Sequence, residues 1–568
     1  MDNVFLFISK YINKILKSSF IIDNLENIVV EIPNNAQHGE LSTNAALVVS
    51  KNAKKNPKEI ATILLEGFKQ LEFVKEVQIK GPGFINFRLK KQFWSEFLKN
   101  ALKCSKKYGL KNIGKGKKIN LEFVSVNPTG PLHIGHARGA IYGDAIANIL
   151  SAMGYNITKE YYINDAGKQI NTLIASLKIR YKNLAGAALS IPADCYPGEY
   201  LIDIAHKAKD YFKIDLDLVD QRELADFAVN EVMNLIKQDL ADLGVKHDIF
   251  VSEYHDIIKE GKIGIALEAL EKEGLIYQGI LEAPKSVNEQ DWEVTQQTIF
   301  KSTNFGDDTD RTIIRSDGSY TYFAGDIAYH YYKLERGYDD MILLLGADHG
   351  GYIKRIKAIV SALSDNKAKI DVKINQLVNL YENGQPFKMS KRTGNFITVR
   401  DVLNEIRKDT FRFAILTKKN DTVLDIDFAT LKEQNKDNPV WYVQYAHTRC
   451  QSVLKKAQKL KISINSEEKL DYSYFPEDMP LIKMIALYPK ILSAAAAYHE
   501  PHRLNYYLQE LANNFHQLWS CGNSSNKLRF INGQNKKLTQ SRLVIVQIVA
   551  NIINSGLRFL GIEPIDEM

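Results

Sequence analysis

Residues 127–139 read NPTGPLHIGHARG and lie between two regular patterns that together decide the fold. Before them, hydrophobic side chains alternate as in a β-strand, at Ile119, Leu121 and Phe123. After them, hydrophobic side chains recur every four residues as far as Gly154, as in a helix: Ile141, Ala145, Ile149 and Met153. The following NITKEYYI, residues 156–163, predicts a second strand. Strand, tight loop, helix and strand form the βαβ unit of a parallel sheet, in which ligands bind beyond the carboxyl ends of the strands and at helix N-termini.

The same pattern returns later in the chain. MILLLG, residues 341–346, is a short hydrophobic run, and helical spacing follows it at Ile353, Ile356, Val360 and Leu363. Residues 185–315, between the two halves, are mostly helical or irregular in pattern. We therefore predict a nucleotide-binding α/β domain over residues 113–430, with an insertion at about 185–315.

Two further domains are predicted at the ends of this 568-residue chain. Residues 1–112 combine helical spacing with a polar, turn-rich segment (32–46) and with GPGFINFRL (81–89), which fits a small α+β domain. In residues 431–568 the hydrophobic positions follow the rhythm of a helix bundle: Leu504, Leu508, Leu511, Phe515 and Leu518, then Leu543, Val546, Ala550, Ile553 and Leu557.

The composition excludes several classes of protein. With 45% hydrophobic and 25% charged residues the chain reads as a soluble globular protein, and no hydrophobic run approaches the roughly 20 residues that cross a bilayer. Lysines interrupt the hydrophobic positions near the N-terminus, which predicts an amphipathic helix and not a signal peptide. We expect a cytoplasmic protein with no membrane partner. The net charge of +7 is compatible with a polyanionic partner and does not establish one.

The cysteines show no metal or disulfide pattern. Cys104, Cys195, Cys450 and Cys521 are scattered without a CxxC or a Cys/His cluster. We expect buried, reduced thiols and no zinc.

His133 and His136 lie on the predicted strand-to-helix loop, with Gly135 between them so that a ligand can approach the backbone. The helix N-terminus offers unpaired N–H groups and a positive dipole end, which suits phosphate. A histidine there can hydrogen-bond a phosphoryl oxygen whose charge grows during attack at the α-phosphorus. In the plainer interpretation, one histidine packs against the strand and the other lies on the surface.

A second candidate segment is QPFKMSKRTGN, residues 385–395. It places Lys388, Lys391 and Arg392 between Pro386 and Gly394, which predicts a loop. Such a loop can bring two ammonium groups and a guanidinium onto a triphosphate and neutralise the departing pyrophosphate. The alternative is an ordinary solvated basic loop.

Together the two segments resemble the HIGH and KMSKS signatures of class I aminoacyl-tRNA synthetases, with arginine in place of the last serine of the second signature. The resemblance implies catalytic roles for His133, His136, Lys388 and Lys391. It implies an ATP site formed by His133, Gly135, His136, Lys388, Met389, Ser390, Lys391 and Arg392.

Longer segments resemble the arginyl-tRNA synthetase family over essentially the whole chain. They include EYYINDAGKQI (160–170), TYFAGDIAYHYYK (321–333), LLGADHGGYI (344–353), NPVWYVQYAHTRC (438–450) and HGELSTNAA (38–46). The resemblance implies a multidomain α/β plus all-α fold: a Rossmann-like catalytic domain, an additional N-terminal domain that contacts tRNA, and a C-terminal α-helical anticodon-binding bundle. It also implies a ligase of protein biosynthesis that activates arginine with ATP and Mg²⁺ and transfers it to the 3′-terminal adenosine of tRNA. No organic cofactor is expected.

The substrate side chain suggests its own ligands, because a guanidinium needs a carboxylate in its plane and an amino group needs an acceptor. By resemblance, Tyr322 and Asp326 hold the guanidinium, and Glu122 and Asn127 hold the amino and carboxyl end. The complete expected arginine site is Glu122, Asn127, Asn164, Asp165, Tyr322, Asp326 and His349. The alternative for each residue is capping a helix or closing a turn.

Candidate tRNA contacts are Phe84, Asn86, Trp441, Tyr445 and Arg449. Unpaired bases are read by stacking and by edge hydrogen bonds, although aromatic residues at helical spacing are more often core. The sequence leaves the oligomeric state open, and a monomer is the expectation. Two rivals stay open: a small-molecule nucleotidyltransferase or ligase, and a non-catalytic RNA-binding relative.

Overall fold

The computed structural model describes residues 3–21, 25, 27–281, 295–387, 397–464 and 476–568. The chain divides into two compact units, residues 1–111 with 434–568, and residues 112–433.

The N-terminal part of the first unit is a four-stranded antiparallel sheet with helices, as the predicted α+β pattern requires. Its helices are α1 (Val4–Ser19), α2 (Ala45–Ala53), α3 (Pro57–Lys69) and α4 (Lys91–Cys104). Its strands are β1 (Val30–Glu31), β2 (Leu41–Thr43), β3 (Val74–Lys80) and β4 (Phe84–Leu89), in the order β1-β2-β4-β3. Helix α1 is amphipathic as expected; it buries one hydrophobic stripe and begins at Asn3, whose side chain accepts the N–H of Leu6.

The second unit is built on a five-stranded sheet in which all neighbours are parallel. Its strands are β5 (Lys118–Glu122), β6 (Asn156–Ile163), β7 (Ile249–Ser252), β11 (Asp340–Gly346) and β12 (Lys369–Asn375), in the order β12-β11-β5-β6-β7. The predicted βαβ unit that contains β5 and β6 is confirmed, and so is the later strand followed by a helix; β12 was not predicted. Strand β7 lies inside residues 185–315, so this stretch contributes an edge strand to the sheet; four residues were too short for the pattern to reveal.

Helices cover the sheet and connect it to two smaller three-stranded sheets. The helices are α5 (Ile134–Ala152), α6 (Lys168–Leu184), α7 (Tyr200–Phe212), α8 (Gln221–Asp242), α9 (Lys262–Lys272), α10 (Tyr322–Glu335), α11 (Ile353–Leu363), α12 (Val399–Glu405), α13 (Lys408–Ile415) and α14 (Phe428–Lys432). The smaller sheets contain β8 (Ile276–Gly279), β9 (Gln297–Phe300) and β10 (Arg311–Ile314), and β13 (Val378–Glu382), β14 (Gln385–Pro386) and β15 (Leu424–Asp427). Gly143 allows α5 to pack closely, because a Cβ there would lie 2.4 Å from the ring of Phe123.

The C-terminal part of the first unit is the predicted helix bundle. Its helices are α15 (Pro439–Lys459), α16 (Met479–Tyr498), α17 (His502–Ser524) and α18 (Lys536–Phe559). Helices α16 and α18 are long and apolar enough to cross a membrane by length and composition, but 50% and 67% of their apolar windows are buried inside the protein. Such burial is typical of core helices. The bundle joins the N-terminal part through Lys490, whose Nζ donates to Val30 O at 2.7 Å.

Candidate active site

The predicted histidine pair lies at the first turn of α5. The Nδ1 of His133 accepts the backbone N–H of Gly135 at 3.1 Å, and the Nδ1 of His136 accepts the backbone N–H of His133 at 3.3 Å. The two rings stack with their centroids 3.4 Å apart. A Cβ at residue 135 would come within 3.0 Å of the His133 ring, so glycine at this residue lets the ring lie where it does.

These hydrogen bonds fix the tautomers of the pair. Because each Nδ1 accepts a backbone N–H, each neutral ring carries its proton on Nε2. Burial lowers the pKa of His133, and burial with the nearby charge of His133 lowers the pKa of His136 to about 3. The pair is therefore uncharged at neutral pH and carries two Nε2–H groups.

The expectation of unpaired backbone N–H groups at this helix end is wrong. The N–H of Ile134 donates to Ile397 O at 3.0 Å, that of Gly135 to the His133 ring, and that of His136 to His133 O at 2.9 Å. The first turn thus uses its own donors to hold the histidines. The imidazole Nε2–H groups and the helix dipole are what this end offers a phosphate.

The loop between β5 and α5 leaves the strand through a strained turn. Val124 and Ser125 have φ angles of 72° and 43°, and the N–H of Ser125 donates to Phe123 O at 3.1 Å, as in a γ-turn. A positive φ is costly for a β-branched residue, and such strain collects at functional sites. The hydroxyl of Tyr161 holds the exit of the turn by donating to Val126 O at 2.8 Å.

The second signature, Lys388, Met389, Ser390, Lys391 and Arg392, lies outside the described residues. The chain is described on both sides of it. Before it, the N–H of Phe387 donates to Leu380 O at 2.8 Å. After it, Ile397 and Val399 pair with the backbone beside His133. The chain therefore returns from this segment directly to the histidine pair, and the roles expected of the segment stay predictions.

The charges of four carboxyl groups act on the half-buried phenol of Tyr162. They follow the ends of three neighbouring strands or lie near the start of α10: Glu122, Asp165, Glu253 and Asp326. Burial raises the pKa of Tyr162 well above its ordinary value, and the four carboxylates raise it further. We call this group the acidic pocket.

Glu122 is matched by a cation of the chain itself. Its Oε2 accepts from Lys333 Nζ at 2.5 Å, and its Oε1 accepts from Ser125 Oγ at 3.0 Å. Glu122 and Lys333 are both buried. The sequence predicted that Glu122 binds the substrate amino end, and the structure adds that this carboxylate already holds an internal ion pair.

Asp165 is also committed to neighbouring groups. Its Oδ2 accepts from Ser252 Oγ at 2.6 Å, its Oδ1 accepts the N–H of Tyr254 at 2.8 Å, and Arg222 lies 3.8 Å away. These contacts fit the alternative that Asp165 closes a turn and fixes the loop after β7. The role predicted for it in arginine binding stays a prediction.

Asp326 and Glu253 have no ion-pair partner among the described residues. Burial raises the pKa of Asp326 to about 7, and the charges of Glu253 and Glu122 add to this while Arg355 opposes it. Burial, with Asp165, raises the pKa of Glu253 to about 7. A Cβ on Gly325, the neighbour of Asp326, would lie 3.8 Å from Glu253 Oε1. Two adjacent carboxyl groups held towards their protonated form make a site for a cation.

The other expected arginine ligands lie around this pocket. Tyr322 is the first residue of α10 and is 74% exposed, with its hydroxyl towards Gly167. Asn127 and Asn164 are half-buried after β5 and β6. His349 follows β11, and its Nε2 lies 3.4 Å from a carboxylate oxygen of Asp348.

Sequence reasoning missed Glu253 and Lys333. Glu253 follows β7 inside the stretch interpreted as an insertion, so no predicted strand end drew attention to it. Lys333 carried a usable signal, because it lies seven residues after Asp326 on α10 and therefore shares its helix face. A charged residue on the buried face of a helix requires a partner.

The predicted tRNA contacts of the bundle form a stacked column. The rings of Trp441 and Tyr445 stack at 4.7 Å, and the guanidinium of Arg449 lies 4.1 Å from the Tyr445 ring and 4.8 Å from that of Trp519. The column is half-buried. In the N-terminal part, Phe84 is 39% exposed whereas Asn86 is buried in β4. Contact of these residues with RNA stays a prediction.

Three family matches cover most of the chain: arginyl tRNA synthetase N terminal domain (residues 7–89), tRNA synthetases class I (R), catalytic domain (97–436), and DALR anticodon binding domain (443–568). The fold, the histidine pair and the match to the class I catalytic domain together show that the chain is a class I tRNA synthetase.

Similar proteins narrow this class. The chain is 49% identical to an arginine–tRNA ligase of Wolbachia pipientis subsp. Culex pipiens over 99% of this chain and 98% of that one, and 46% identical to one of Ehrlichia ruminantium (strain Welgevonden) over 97% and 96%. The chain belongs to the arginyl-tRNA synthetase family. The structure of arginyl-tRNA synthetase from Thermus thermophilus shares the fold, with a TM-score of 0.77, 20% identity and full coverage of both chains.

Proposed function

We propose that the acidic pocket binds the cationic groups of arginine and that the histidine pair binds the phosphates of ATP. The chain is an arginine–tRNA ligase, which joins arginine to AMP with release of pyrophosphate and then transfers the arginyl group to tRNA. The observation that supports the site most strongly is the pair Asp326 and Glu253, two carboxyl groups with pKa values of about 7 beside one phenol.

In the first step, the substrate carboxylate attacks the α-phosphorus and pyrophosphate leaves, so the protein needs no covalent nucleophile. Charge grows on the phosphoryl oxygens during the attack, and the Nε2–H groups of His133 and His136 are oriented donors for it. Lys388, Lys391 and Arg392 neutralise the leaving pyrophosphate. The phosphates of ATP would carry Mg²⁺, which would screen their charge; among the described residues no group of three His, Cys, Asp or Glu side chains is arranged to hold a metal ion.

The pocket selects arginine through the shape of the guanidinium. A planar fork can donate parallel hydrogen bonds to Asp326 and reach Glu253, whereas the ammonium of lysine is a compact, strongly hydrated charge. Tyr322 closes one side of the slot. The amino and carboxyl end lies towards Asn127 and the loop after β5. Lysine would leave a carboxylate unpaired in a partly dry site. The free-energy cost of that unpaired group is what makes the pocket select arginine over lysine.

The remaining parts serve the tRNA. The N-terminal domain, residues 1–112, and the bundle, residues 431–568, contact it, and the column of Trp441, Tyr445 and Arg449 offers faces on which unpaired bases stack. Residues 185–315 shape the cleft for the acceptor end. The enzyme acts as a cytoplasmic monomer.

The test is a charging screen with tRNA and each amino acid, including lysine and citrulline, alongside amino-acid-dependent ATP–pyrophosphate exchange assayed with and without tRNA. We expect arginine alone to be charged. If another amino acid were charged, the assignment of arginine to the acidic pocket would be wrong. Exchange without any transfer would favour a small-molecule nucleotidyltransferase, and no reaction would favour a non-catalytic RNA-binding protein.

A further inference from the structure

Arg138 lies two residues after His136 and is fully buried on α5. Its guanidinium donates to four backbone carbonyls. Two are in one segment, Gln376 O at 2.8 Å and Leu377 O at 3.2 Å. Two are in another, Lys419 O at 2.8 Å and Thr422 O at 2.7 Å. One side chain thus ties the helix of the histidine pair to two distant segments.

Both segments lead directly into the small sheet of β13, β14 and β15. Residues 376–377 immediately precede β13, and residues 419–422 precede β15, which pairs with β13 in parallel. Strand β13 pairs with β14, and the chain leaves β14 towards the second signature. Arg138 therefore fixes the strands from which that signature starts.

The chain beyond the second signature is held by the same part of the molecule. The N–H of Val399 donates to Leu132 O at 2.9 Å, and Ile397 O accepts the N–H of Ile134. Helix α5 and its N-terminal flank consequently contact residues 376–377 before the second signature and residues 397–399 after it.

We propose that Arg138 is a positioning residue for adenylate formation. It fixes the position of β13 and β14 relative to the histidine pair. This proposal rests on the function proposed above for Lys388 and Lys391. Four carbonyls in two pairs match the planar fork of a guanidinium; an ammonium at the same place is a single point with three donors and cannot satisfy both pairs. If either signature is displaced by a fraction of an ångström, the step that should slow is adenylate formation, in which pyrophosphate leaves.

The test compares Arg138→Lys with Arg412→Lys. Arg412 is also fully buried in this unit, and it donates to Leu243 O at 2.8 Å and to Asp144 at 2.6 Å. Two steps are measured on the full-length proteins with tRNA present: ATP–pyrophosphate exchange, and single-turnover transfer from purified arginyl-adenylate. We expect Arg138→Lys to slow exchange about tenfold or more while transfer changes much less. Arg412→Lys should change both steps in equal proportion.

Equal slowing of both steps by Arg138→Lys, or no slowing, would overturn the proposal and leave Arg138 a purely structural residue. If this variant does not fold, Tyr142→Phe is the gentler probe, because it keeps the ring and removes the hydroxyl that donates to Asn420 Oδ1 at 3.3 Å, in the segment that Arg138 holds. It should show the same preferential loss of exchange, by about threefold. Lys391→Ala in the same assay separates the two ideas: unchanged exchange there contradicts the proposed function of the segment.

Discussion

The active site has an imidazole end, formed by the histidine pair, and a carboxyl end, formed by the acidic pocket. Burial favours the neutral form at both ends, but the charge that is lost has the opposite sign. Burial removes positive charge from His133 and His136, and it removes negative charge from Asp326 and Glu253. At the imidazole end the neutral form is the working form, because the Nε2–H groups are already oriented. At the carboxyl end the ionised form is the working form, and a cationic substrate is what restores it.

The carboxyl end itself contains two kinds of acid. Glu122 has an internal cation, Lys333, and both are buried. Asp326 has no such partner among the described residues. We therefore expect Glu122 to matter first for folding and Asp326 first for the substrate, and the variants below separate these roles.

The largest effect is expected for Glu122→Gln. It leaves the buried ammonium of Lys333 without its carboxylate, which costs about 3 to 5 kcal/mol of folding free energy. Urea unfolding of the free enzyme measures this. In the double variant Glu122→Gln with Lys333→Met, much of the stability should return, since no buried charge is left unpaired. An unchanged midpoint for the single variant would show that the ion pair does not exist in solution.

The next effect is expected for Asp326→Asn. The amide keeps the size of the carboxyl but turns one acceptor into a donor that faces the donors of the guanidinium. We expect a loss of about 3 kcal/mol in kcat/KM for arginine, with tRNA binding little changed. Asp365→Asn, an exposed carboxylate that lies beside Lys367, is the control for a general loss of negative charge. Near-normal charging by Asp326→Asn would remove Asp326 from the guanidinium site.

At the imidazole end, His136→Ala should slow activation by about 10²-fold, with a smaller change in apparent ATP affinity. Glutamine can place an N–H close to the position of Nε2, whereas asparagine reproduces only the Nδ1 side. His136→Gln should therefore recover part of the rate and His136→Asn should not. Pyrophosphate exchange reports the rate, and equal recovery by both variants would argue against Nε2 as the donor.

The sequence predicted most of this architecture because its signals are periodic or local. The βαβ units, the bundle and the histidine pair follow from hydrophobic spacing and from one strand-to-helix loop. Three features were not predicted. Strand β7 has four residues, and Glu253 follows it within an irregular stretch. The Glu122–Lys333 pair joins residues 211 positions apart. The N–H groups of α5 were predicted to be unpaired because one acceptor, Ile397 O, is distant in sequence, and the others belong to His133 itself and depend on its backbone and ring conformation.

The sharpest test of the comparison is the pH dependence of arginine binding between pH 5.5 and 7.5. Asp326 and Glu253 have pKa values raised to about 7, so below that pH arginine must displace protons, and its affinity should rise with pH by up to about tenfold per unit for each proton released. Without arginine, the folded state holds these protons more tightly than the unfolded chain does, so stability should fall as pH rises from about 4 to 7. His136, with its pKa lowered to about 3, does not titrate in this range, so its own contribution to ATP binding should stay constant. Calorimetry in two buffers of different ionisation enthalpy counts the protons released at pH 6.5. Arginine binding without proton release would mean that the carboxyl end is already ionised, and the contrast between the two ends would then be one of position and not of charge.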